Sequence, residues 1–343
     1  MKDDSSECTK EEEIAQIEVS APHVVILGTG ASFASCPSPN GDRNGKQLPV
    51  MKNFVKMLNL SGILKKARVD LRKRNFEEIY EQLYKDERQF GVRRELEDVI
   101  YSYFNSMCLP DYPTIYDYLI LSLREKDVIA TFNWDPLLTQ AYKRNPRRFK
   151  KPRLLFLHGN VTIGYCEIDN VIGVNGNVCS KCGIKLAPSK LLYPIREKDY
   201  HSDGFISGEW EELGDAMKHA FWITIFGYGA PKSDVSAIEL LREGWGDKNK
   251  RFMEQTEIID IKPEKALRSL WDPFIHTHHY ESHNNFYDSW VSNHPRRTGE
   301  AYLNQYYWGR FIEDNPVPQN VDFPELWRWF DKLHEVEVKH NFQ

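Results

Sequence analysis

The chain lacks both an apolar segment of membrane length and the cysteine density of a disulfide scaffold. A spanning helix needs about 20 consecutive apolar residues, and no run of that length occurs among the 343 residues. The N-terminus lacks the apolar core of a secretory signal. The six cysteines are few and unevenly spaced. We therefore expect a cytoplasmic protein in a reducing setting, with no membrane partner.

The chain also has little net charge outside its first 20 residues. That segment holds seven acidic and two basic side chains, which accounts for the whole net charge of −5. Because it is polar and has little to bury, we expect residues 1–20 to form an acidic tail that is disordered or loosely docked. A basic run over residues 143–153 has few aromatic side chains among its cations, which favours a solvated helix end over direct nucleic-acid binding.

What the chain does have is a series of short apolar runs that end next to polar or glycine-rich loops. These runs cover residues 24–27, 127–131, 154–157, 222–226 and 257–261. Between them the apolar residues recur at helical spacing, above all over residues 51–125. Strands that alternate with helices predict an α/β fold with a Rossmann-like, mainly parallel sheet.

We predict that this sheet lies in a ligand-binding domain over residues 21–265. A helical insertion over residues 51–125 and a small Cys-bearing module over residues 160–205 interrupt the domain. A C-terminal helical region follows over residues 266–343. Its four histidines between residues 276 and 283 favour a polar surface loop over a metal site.

Glycines follow the first run, where parallel sheets bind ligands. Gly28 and Gly30 let the backbone pass close to a phosphate, although an ordinary strand-to-helix turn would look the same. Phe33 stands where the dehydrogenase fingerprint needs a third glycine. The loop therefore favours a nucleotide but argues against hydride transfer.

Three polar residues follow the second and third runs. Asn133 can orient a water or hold a ribose hydroxyl, and His158 can accept a proton near neutral pH. Asp135 either joins the same site or only caps the next helix, and a lone histidine is often structural. We predict Asn133 and His158 as the catalytic pair.

Three cysteines of the turn-rich module have metal-ligand spacing. Cys179 and Cys182 are separated by two residues, and Cys166 precedes them by thirteen. Two thiolates at knuckle spacing can both bind one tetrahedral Zn²⁺. We predict Cys166, Cys179 and Cys182 as ligands of a structural zinc.

These motifs, in this order, resemble the sirtuin family, and more closely its bacterial sirtuin-like branch linked to antiphage defence. The resemblance covers roughly residues 22–265. It rests on Gly-Thr-Gly-Ala-Ser at 28–32, Thr-Phe-Asn-Trp-Asp at 131–135, Leu-His-Gly at 157–159, Phe-Gly-Tyr at 226–228, Ser-Asp at 233–234, and Asp260. Phe-Glu-Glu at 76–78 fits the same branch.

The resemblance implies that the chain binds NAD as its substrate. Asn133 would lie beside the nicotinamide ribose, and His158 would act as the general base. The glycine loops would hold the phosphates and the adenosine half. The implied cofactor-binding residues are Gly28, Gly30, Ser32, Asp135, Gly227 and Asp260.

The resemblance also bears on the cysteines. Sirtuins carry a zinc ribbon of four cysteines shortly after the catalytic histidine, which is where these cysteines lie. Only three are present, and Asp169 stands where the first knuckle needs its second ligand. Either Asp169 completes the zinc site or the module is a remnant that has lost its metal.

One departure from the family bears on the reaction. Sirtuin deacylases follow the glycine loop with Gly-Ile-Pro-Asp-Phe-Arg, whereas residues 33–38 read Phe-Ala-Ser-Cys-Pro-Ser. The resemblance therefore implies an NAD hydrolase that cleaves the nicotinamide–ribose bond to give nicotinamide and ADP-ribose, in antiphage defence by NAD depletion. The alternatives are an NAD-dependent protein deacylase and a non-catalytic NAD or ADP-ribose sensor that regulates a partner.

A hydrolase of NAD needs a gate, and two features could provide one. The long loop over residues 33–49 is typical of a lid. The C-terminal region is rich in tryptophans, which either cover the sheet or form an interface; they are Trp271, Trp290, Trp308, Trp327 and Trp329. We expect a homo-oligomer, and the resemblance implies a defence partner such as a HerA-like ATPase or an Argonaute-type protein.

Overall fold

The computed structural model describes residues 7–67, 75–231, 234–251 and 253–341. The strands are β1 (Glu7–Cys8), β2 (His23–Leu27), β3 (Val128–Thr131), β4 (Arg153–Phe156), β5 (Ile163–Cys166), β6 (Val171–Val174), β7 (Ala187–Pro188), β8 (Trp222–Phe226), β9 (Gln255–Ile259), β10 (Tyr280–His283) and β11 (Phe311–Ile312). The helices up to β3 are α1 (Lys10–Ala15), α2 (Thr29–Ser35), α3 (Phe54–Met57), α4 (Ser61–Lys66), α5 (Phe76–Lys85), α6 (Phe90–Asn105) and α7 (Ile115–Ser122). Those after β3 are α8 (Leu137–Arg144), α9 (Gly204–His219), α10 (Val235–Trp245), α11 (Glu264–Trp271), α12 (Trp290–Asn293), α13 (Thr298–Tyr302) and α14 (Phe323–Asn341).

A six-stranded parallel sheet, ordered β4-β3-β2-β8-β9-β10, forms the centre of the molecule. Numbered along the chain, this order is 3-2-1-4-5-6, which is the doubly wound arrangement of Rossmann folds. The strand order reverses at β2, which lies between β3 and β8. The predicted fold class is therefore confirmed.

Both faces of the sheet are covered, which explains why the central strands read as continuous apolar runs. Along β2, Val25 and Leu27 pack into a core formed with α5, α6, α7 and α14. Val24 and Ile26 point to the opposite face and pack against α9, α10 and α11. All five residues of β2 are buried. The sheet is thus held between two helical layers.

The edge strand β10 was not anticipated from the sequence. Residues 276–283 were interpreted as a polar surface loop, but Tyr280–His283 pair with β9 in parallel register. Its sequence, Tyr-Glu-Ser-His, has no apolar run because an edge strand needs less burial than a central one. The sheet therefore continues past residue 265 into the region expected to be helical.

The acidic N-terminal segment docks on the fold over residues 7–20, the part that the structure describes; residues 1–6 lie outside the described residues. Helix α1 begins with a capping box at Thr9. Glu13 is fully buried, and its Oε2 lies 2.8 Å from His294 Nδ1. Arg297 donates to the carbonyl of Ile14 at 3.0 Å. Partners nearly 300 positions away hold this segment, and local composition cannot indicate them.

The Cys-bearing module contains its own small antiparallel sheet of β6, β5 and β7. It follows β4 directly and leads into α9, so it is inserted between two elements of the main fold. Elsewhere, none of the helices in the described ranges has the length and apolar character needed to cross a membrane.

Candidate functional site

A cavity of about 300 Å³ opens at the carboxyl edge of the sheet, beside the point where the strand order reverses. Its wall includes residues at the ends of four parallel strands: Gly28 and Gly227 directly follow β2 and β8, and Asn133 and His158 come two residues after the ends of β3 and β4. Ligands of doubly wound folds bind in this crevice. The structure therefore brings together residues that the sequence placed at separate strand ends.

The two glycine loops pack directly against each other. Gly30 N donates to Gly227 O at 3.0 Å, and Gly28 N donates to Phe226 O at 3.0 Å. A Cβ on Gly30 would lie 2.6 Å from Gly227 Cα, and Gly227 itself has a φ of +62°. The Gly30 N–H thus makes a hydrogen bond between the two loops. Close backbone packing is what requires glycine here.

Asn133 is held by the glycine loop and faces the cavity. Its Nδ2 donates to Gly28 O at 2.8 Å and to Ser32 Oγ at 3.0 Å. These acceptors fix the orientation of the amide. No donor in the described part of the chain reaches Oδ1, which is not sealed from solvent. The amide therefore presents an open acceptor to the cavity.

Asp135 lies behind Asn133, lines the cavity and also caps the next helix. Its Oδ1 accepts from Leu137 N at 3.1 Å, so it stabilises the first turn of α8. Its Oδ2 accepts from the hydroxyl of Ser32 at 2.7 Å. Burial raises the pKa of Asp135 to about 6. Asp135 therefore caps α8 and also lines the cavity, and its role in binding a cofactor stays a prediction.

His158 lines the opposite part of the cavity and is 6% exposed. Its Nε2 lies 3.0 Å from the hydroxyl of Tyr200. The ring of Phe132 meets the imidazole edge-on at 4.7 Å. Burial lowers the pKa of His158 to about 4, although Asp234 opposes this. The imidazole is therefore neutral at physiological pH, and its Nδ1 has no partner in the described ranges.

An aromatic and charged wall completes this side of the cavity, and two of its residues, Lys198 and Tyr200, were not anticipated from the sequence. Tyr228 stacks on Phe132 with ring centroids 4.0 Å apart. Its hydroxyl donates to Asp234 Oδ2 at 2.9 Å, and Lys198 Nζ lies 2.5 Å from Asp234 Oδ1. Tyr200 and Lys198 come from a turn-rich segment without periodicity. Tyr228 could have been found, since it directly follows Gly227.

The long loop predicted as a lid contributes to the cavity. Helix α2 extends to Ser35, and the end of the predicted loop, residues 48–49, lines the cavity together with residues 50–51 and Phe54. Asp42 anchors the loop, because its Oδ2 accepts from Cys108 N at 3.0 Å. Burial raises the pKa of the Cys36 thiol to about 12, so this cysteine is unreactive.

Three of the predicted cofactor-binding residues, among those the structure describes, do not line the cavity: Gly30, whose amide binds Gly227 O, and also Ser32 and Asp260. Ser32 is fully buried and bridges Asn133 to Asp135. Asp260 follows β9, and its Oδ1 accepts from Lys262 N at 3.0 Å. Of the motif at 233–234, Asp234 lines the cavity, whereas Ser233 lies outside the described residues.

The predicted metal ligands converge in the Cys-bearing module. Four possible ligand atoms lie within 4.8 Å of one another, one each from Cys166, Asp169, Cys179 and Cys182. Cys166 Sγ and Cys182 Sγ are 3.6 Å apart. Thiolates around tetrahedral zinc are about 3.8 Å apart, given Zn–S bonds of about 2.3 Å. This donor set is compatible with Zn²⁺.

The fold and the cavity define a doubly wound α/β protein with a concave site at the carboxyl edge of its sheet. No family model matches the sequence, and no curated protein does. A crystal structure of a Sir2 homologue–NAD complex is 15% identical over 87% of this chain and 92% of its own, with a TM-score of 0.38.

Other Sir2 structures give similar values. A mutant Sir2 homologue in complex with ADP-ribose is 15% identical over 84% of this chain and 95% of its own, with a TM-score of 0.41. A structure on the mechanism and regulation of Sir2 enzymes is 14% identical over 87% of this chain and 96% of its own, with a TM-score of 0.38. Because these TM-scores are below 0.5, the site rests on this chain's own residues.

Proposed function

We propose that the chain hydrolyses NAD at the nicotinamide–ribose bond, giving nicotinamide and ADP-ribose. One observation carries the proposal: Asn133 and His158 line the same cavity, and neither Asn133 Oδ1 nor His158 Nδ1 has a hydrogen-bond partner among the described residues. An open amide acceptor and a neutral imidazole are the groups that position and deprotonate a water. The resemblance of the surrounding motifs to sirtuins supplies the identity of the dinucleotide.

The proposed reaction needs no redox step. The C–N bond breaks with its electron pair passing to nicotinamide, whose ring loses its positive charge. Water adds to C1′ of the oxocarbenium-like ribose, and its proton passes to His158 Nδ1 and then to solvent. Asn133 Oδ1 orients the water or a ribose hydroxyl. Preorganised groups of this kind stabilise the developing charge without reorganisation.

Asp135 suits the cationic half of NAD. Its carboxylate lies beside Asn133, so we place the positively charged nicotinamide ring on this side of the cavity. A volume of about 300 Å³ is at the lower end of the range for ligand pockets, roughly 300–1,000 Å³. We propose that residues 48–51, which line the cavity, move outward when a whole dinucleotide enters.

Incubation of the purified protein with NAD tests the proposal. We expect free ADP-ribose and nicotinamide in a one-to-one ratio, with no acylated peptide present. Turnover that appears only with an acyl-peptide would instead identify a deacylase. Binding of NAD without turnover in every assembly state would identify a sensor.

We also propose that Cys166, Asp169, Cys179 and Cys182 hold a structural zinc. A site closed by four protein ligands has no open position for chemistry. The metal would link the end of β5 to the knuckle at residues 179–182 and so stabilise the module. It has no step in the proposed reaction.

Assembly and biological setting are further proposals. Trp271 and Trp290 are buried, and Trp327 and Trp329 pack against the core, so these four cover the fold. Trp308 is 64% exposed, next to exposed Tyr307. We propose that this surface joins copies of the chain in a homo-oligomer. The resemblance suggests cytoplasmic antiphage defence with a HerA-like ATPase or Argonaute-type partner.

A further inference from the structure

We infer that Glu77 makes the cavity selective for the amide form of the dinucleotide, so that NAD binds and deamido-NAD, whose ring carries a carboxylate instead of a carboxamide, is rejected. The inference deepens the proposed function and rests on it for the identity of the substrate. It is carried by the position of Glu77, which lines the same cavity as Asn133 and Asp135. The proposed reaction gives no role to the Phe-Glu-Glu motif at 76–78 in which Glu77 lies.

The first turn of α5 holds Glu77 at a fixed place in the cavity wall. Asn75 caps the helix, because its Oδ1 accepts from Glu78 N at 3.0 Å. Phe76 is fully buried and stacks on Phe54 with ring centroids 4.3 Å apart. Phe54 itself lines the cavity. These anchors do not involve the side chain of Glu77, so a substitution at this position should leave the turn in place.

A series of ring contacts places Glu77 on the wall that carries Trp134. The ring of Phe54 contacts Phe104 at a centroid distance of 6.2 Å, and Phe104 meets Trp134 edge-on at 5.8 Å. All three rings line the cavity together with Glu77. Trp134 directly precedes Asp135 in the chain, and the proposed function places the nicotinamide ring on the side of Asp135. Glu77 therefore borders the part of the cavity proposed for that ring.

The charges of the cavity wall decide which ring fits there. Three carboxylates line it, those of Glu77, Asp135 and Asp234. Lys198 is the single cation among the lining residues that the structure describes, and its ammonium group is bound to Asp234. The side of Glu77 and Asp135 is thus acidic. A carboxylate oxygen accepts an N–H, so Glu77 can accept from the carboxamide of a positively charged nicotinamide ring.

Deamido-NAD has the wrong group for this wall. Its ring carboxylate has no N–H to donate to Glu77, and its negative charge meets Glu77 and Asp135 with no further cation among the described lining residues. A site that binds an N–H strongly rejects an analogue without one, because the polar group of the site is left unpaired. Repulsion between like charges adds to the rejection. The selection acts on the ring substituent and does not involve the ADP-ribose part of the substrate.

Calorimetry on the His158→Ala protein tests the inference, because its slow turnover allows NAD and deamido-NAD to be compared as ligands. NAD should bind at least about tenfold more tightly than deamido-NAD. ADP-ribose, which lacks the ring, is the reference ligand. Adding Glu77→Gln should reduce the preference for NAD to about threefold or less, since glutamine can donate to a carboxylate as well as accept from an amide. The affinity for ADP-ribose should stay within about twofold of the parent value, because the contact with Glu77 is absent.

Glu78→Gln in the same background is the matched control. Glu78 belongs to the same helical turn and the same motif, but it is exposed and is not part of the cavity wall. This variant should leave all three affinities unchanged. Equal affinities of the parent protein for NAD and deamido-NAD would overturn the inference, and so would an unchanged preference in folded Glu77→Gln. A matching loss of ADP-ribose affinity in Glu77→Gln would also overturn it, since Glu77 would then support the cavity as a whole.

A product assay with the wild type separates this result from the proposed function. Hydrolysis of NAD without a preference over deamido-NAD would support the reaction and contradict the role of Glu77. Selective binding of NAD that is lost in Glu77→Gln, with no hydrolysis by the wild type, would support the role of Glu77 and contradict the reaction.

Discussion

Phe132 and Tyr228 stack face to face across the end of the central strand, with centroids 4.0 Å apart and planes 7° from parallel. Phe132 follows β3 and Tyr228 comes two residues after β8, so the stack joins the two strands that flank β2. Gly28 lies beside this stack. A Cβ there would be 2.5 Å from Tyr228 Cα and 2.5 Å from Gly227 O.

Gly28→Ala should therefore destabilise the protein by about 2 kcal/mol, the usual cost of overpacking a rigid contact. The added methyl group must push the glycine loops apart, so the affinity for ADP-ribose should fall at least tenfold. Calorimetry and thermal unfolding measure the two effects.

Gly208→Ala is the matched control for this change. Gly208 lies within α9, and a Cβ there meets nothing within 4 Å. Alanine is the better helix former, so this variant should gain about 0.5–1 kcal/mol and bind ADP-ribose normally. Equal stability of the two variants would show that the loops yield more easily than their backbone contacts indicate.

Asn133→Ala and His158→Ala should each lower NAD cleavage by about 100-fold or more, because one removes the positioning amide and the other removes the base. Product formation in an activated preparation is the measurement. His201→Ala provides the control, since His201 is an exposed histidine that follows the cavity-lining residue Lys198 in the chain. Near-normal turnover by either folded cavity variant would remove that residue from the mechanism.

The pH dependence should report Asp135. Its pKa is raised by burial to about 6 from an ordinary value of 3.8. Below pH 6 the carboxyl is neutral and attracts the nicotinamide cation less, so KM for NAD should rise as the pH falls through 6. Asp135→Asn should have a high KM with no such dependence. A KM that stays flat across this range in the wild type would separate Asp135 from substrate binding.

The Asp135 carboxyl should also affect the free energy of unfolding, but here the neutral form is the favourable one, whereas NAD binding favours the charged form. A raised pKa means that the folded chain holds the proton more tightly than the unfolded chain does. The stabilisation by the neutral carboxyl is complete below about pH 4 and is lost as the pH rises through 6. Two pKa units correspond to at most about 3 kcal/mol at pH 7. Asp135→Asn should therefore unfold at a higher temperature than the wild type at pH 7, by calorimetry.

The Cys-bearing module should carry about one zinc per chain, and Cys179→Ser should lose it, because a tetrahedral site tolerates no missing ligand. Elemental analysis of protein purified without chelators is the measurement. Cys108→Ser is a suitable control, because Cys108 lies outside the four-residue cluster. The absence of zinc from the wild type would identify the module as a remnant ribbon.

Trp308→Glu should shift the assembly toward smaller species and lower activity at micromolar concentrations. A charge in an interface core is costly to desolvate, and aromatic residues carry much of an interface's energy. Light scattering measures the change. Ile168→Glu alters an equally exposed apolar residue, 71% exposed in the Cys-bearing module, and should leave the mass unchanged. A wild-type protein that is fully active as a monomer would exclude assembly as the control on activity.

Local patterns were sufficient to predict the central strands and the residues that end them. Strands buried on both faces leave continuous apolar runs, and β8 begins and ends where its run does. The glycine at 28 and the imidazole at 158 follow such runs directly, and the amide at 133 comes one residue later than that. Parallel strands then bring these positions together, so their meeting in one cavity was predictable in principle.

Features that depend on distant partners could not be predicted in this way. Tyr200 lies 42 positions beyond His158, in a segment with no periodicity. The docking of α1 depends on His294 and Arg297, which no local rule connects with an acidic tail. An edge strand such as β10 has little apolar content, so the composition of the segment does not indicate a strand.

Trp134 gives the cavity an optical property of its own. Trp134 lines the cavity together with its chain neighbours Asn133 and Asp135, and its indole packs against Tyr193 with ring centroids 5.1 Å apart. Emission from an indole depends on what its ring touches. A nicotinamide ring that enters beside it should quench this fluorescence, so that occupancy, lid movement and product release can be followed in real time without any label.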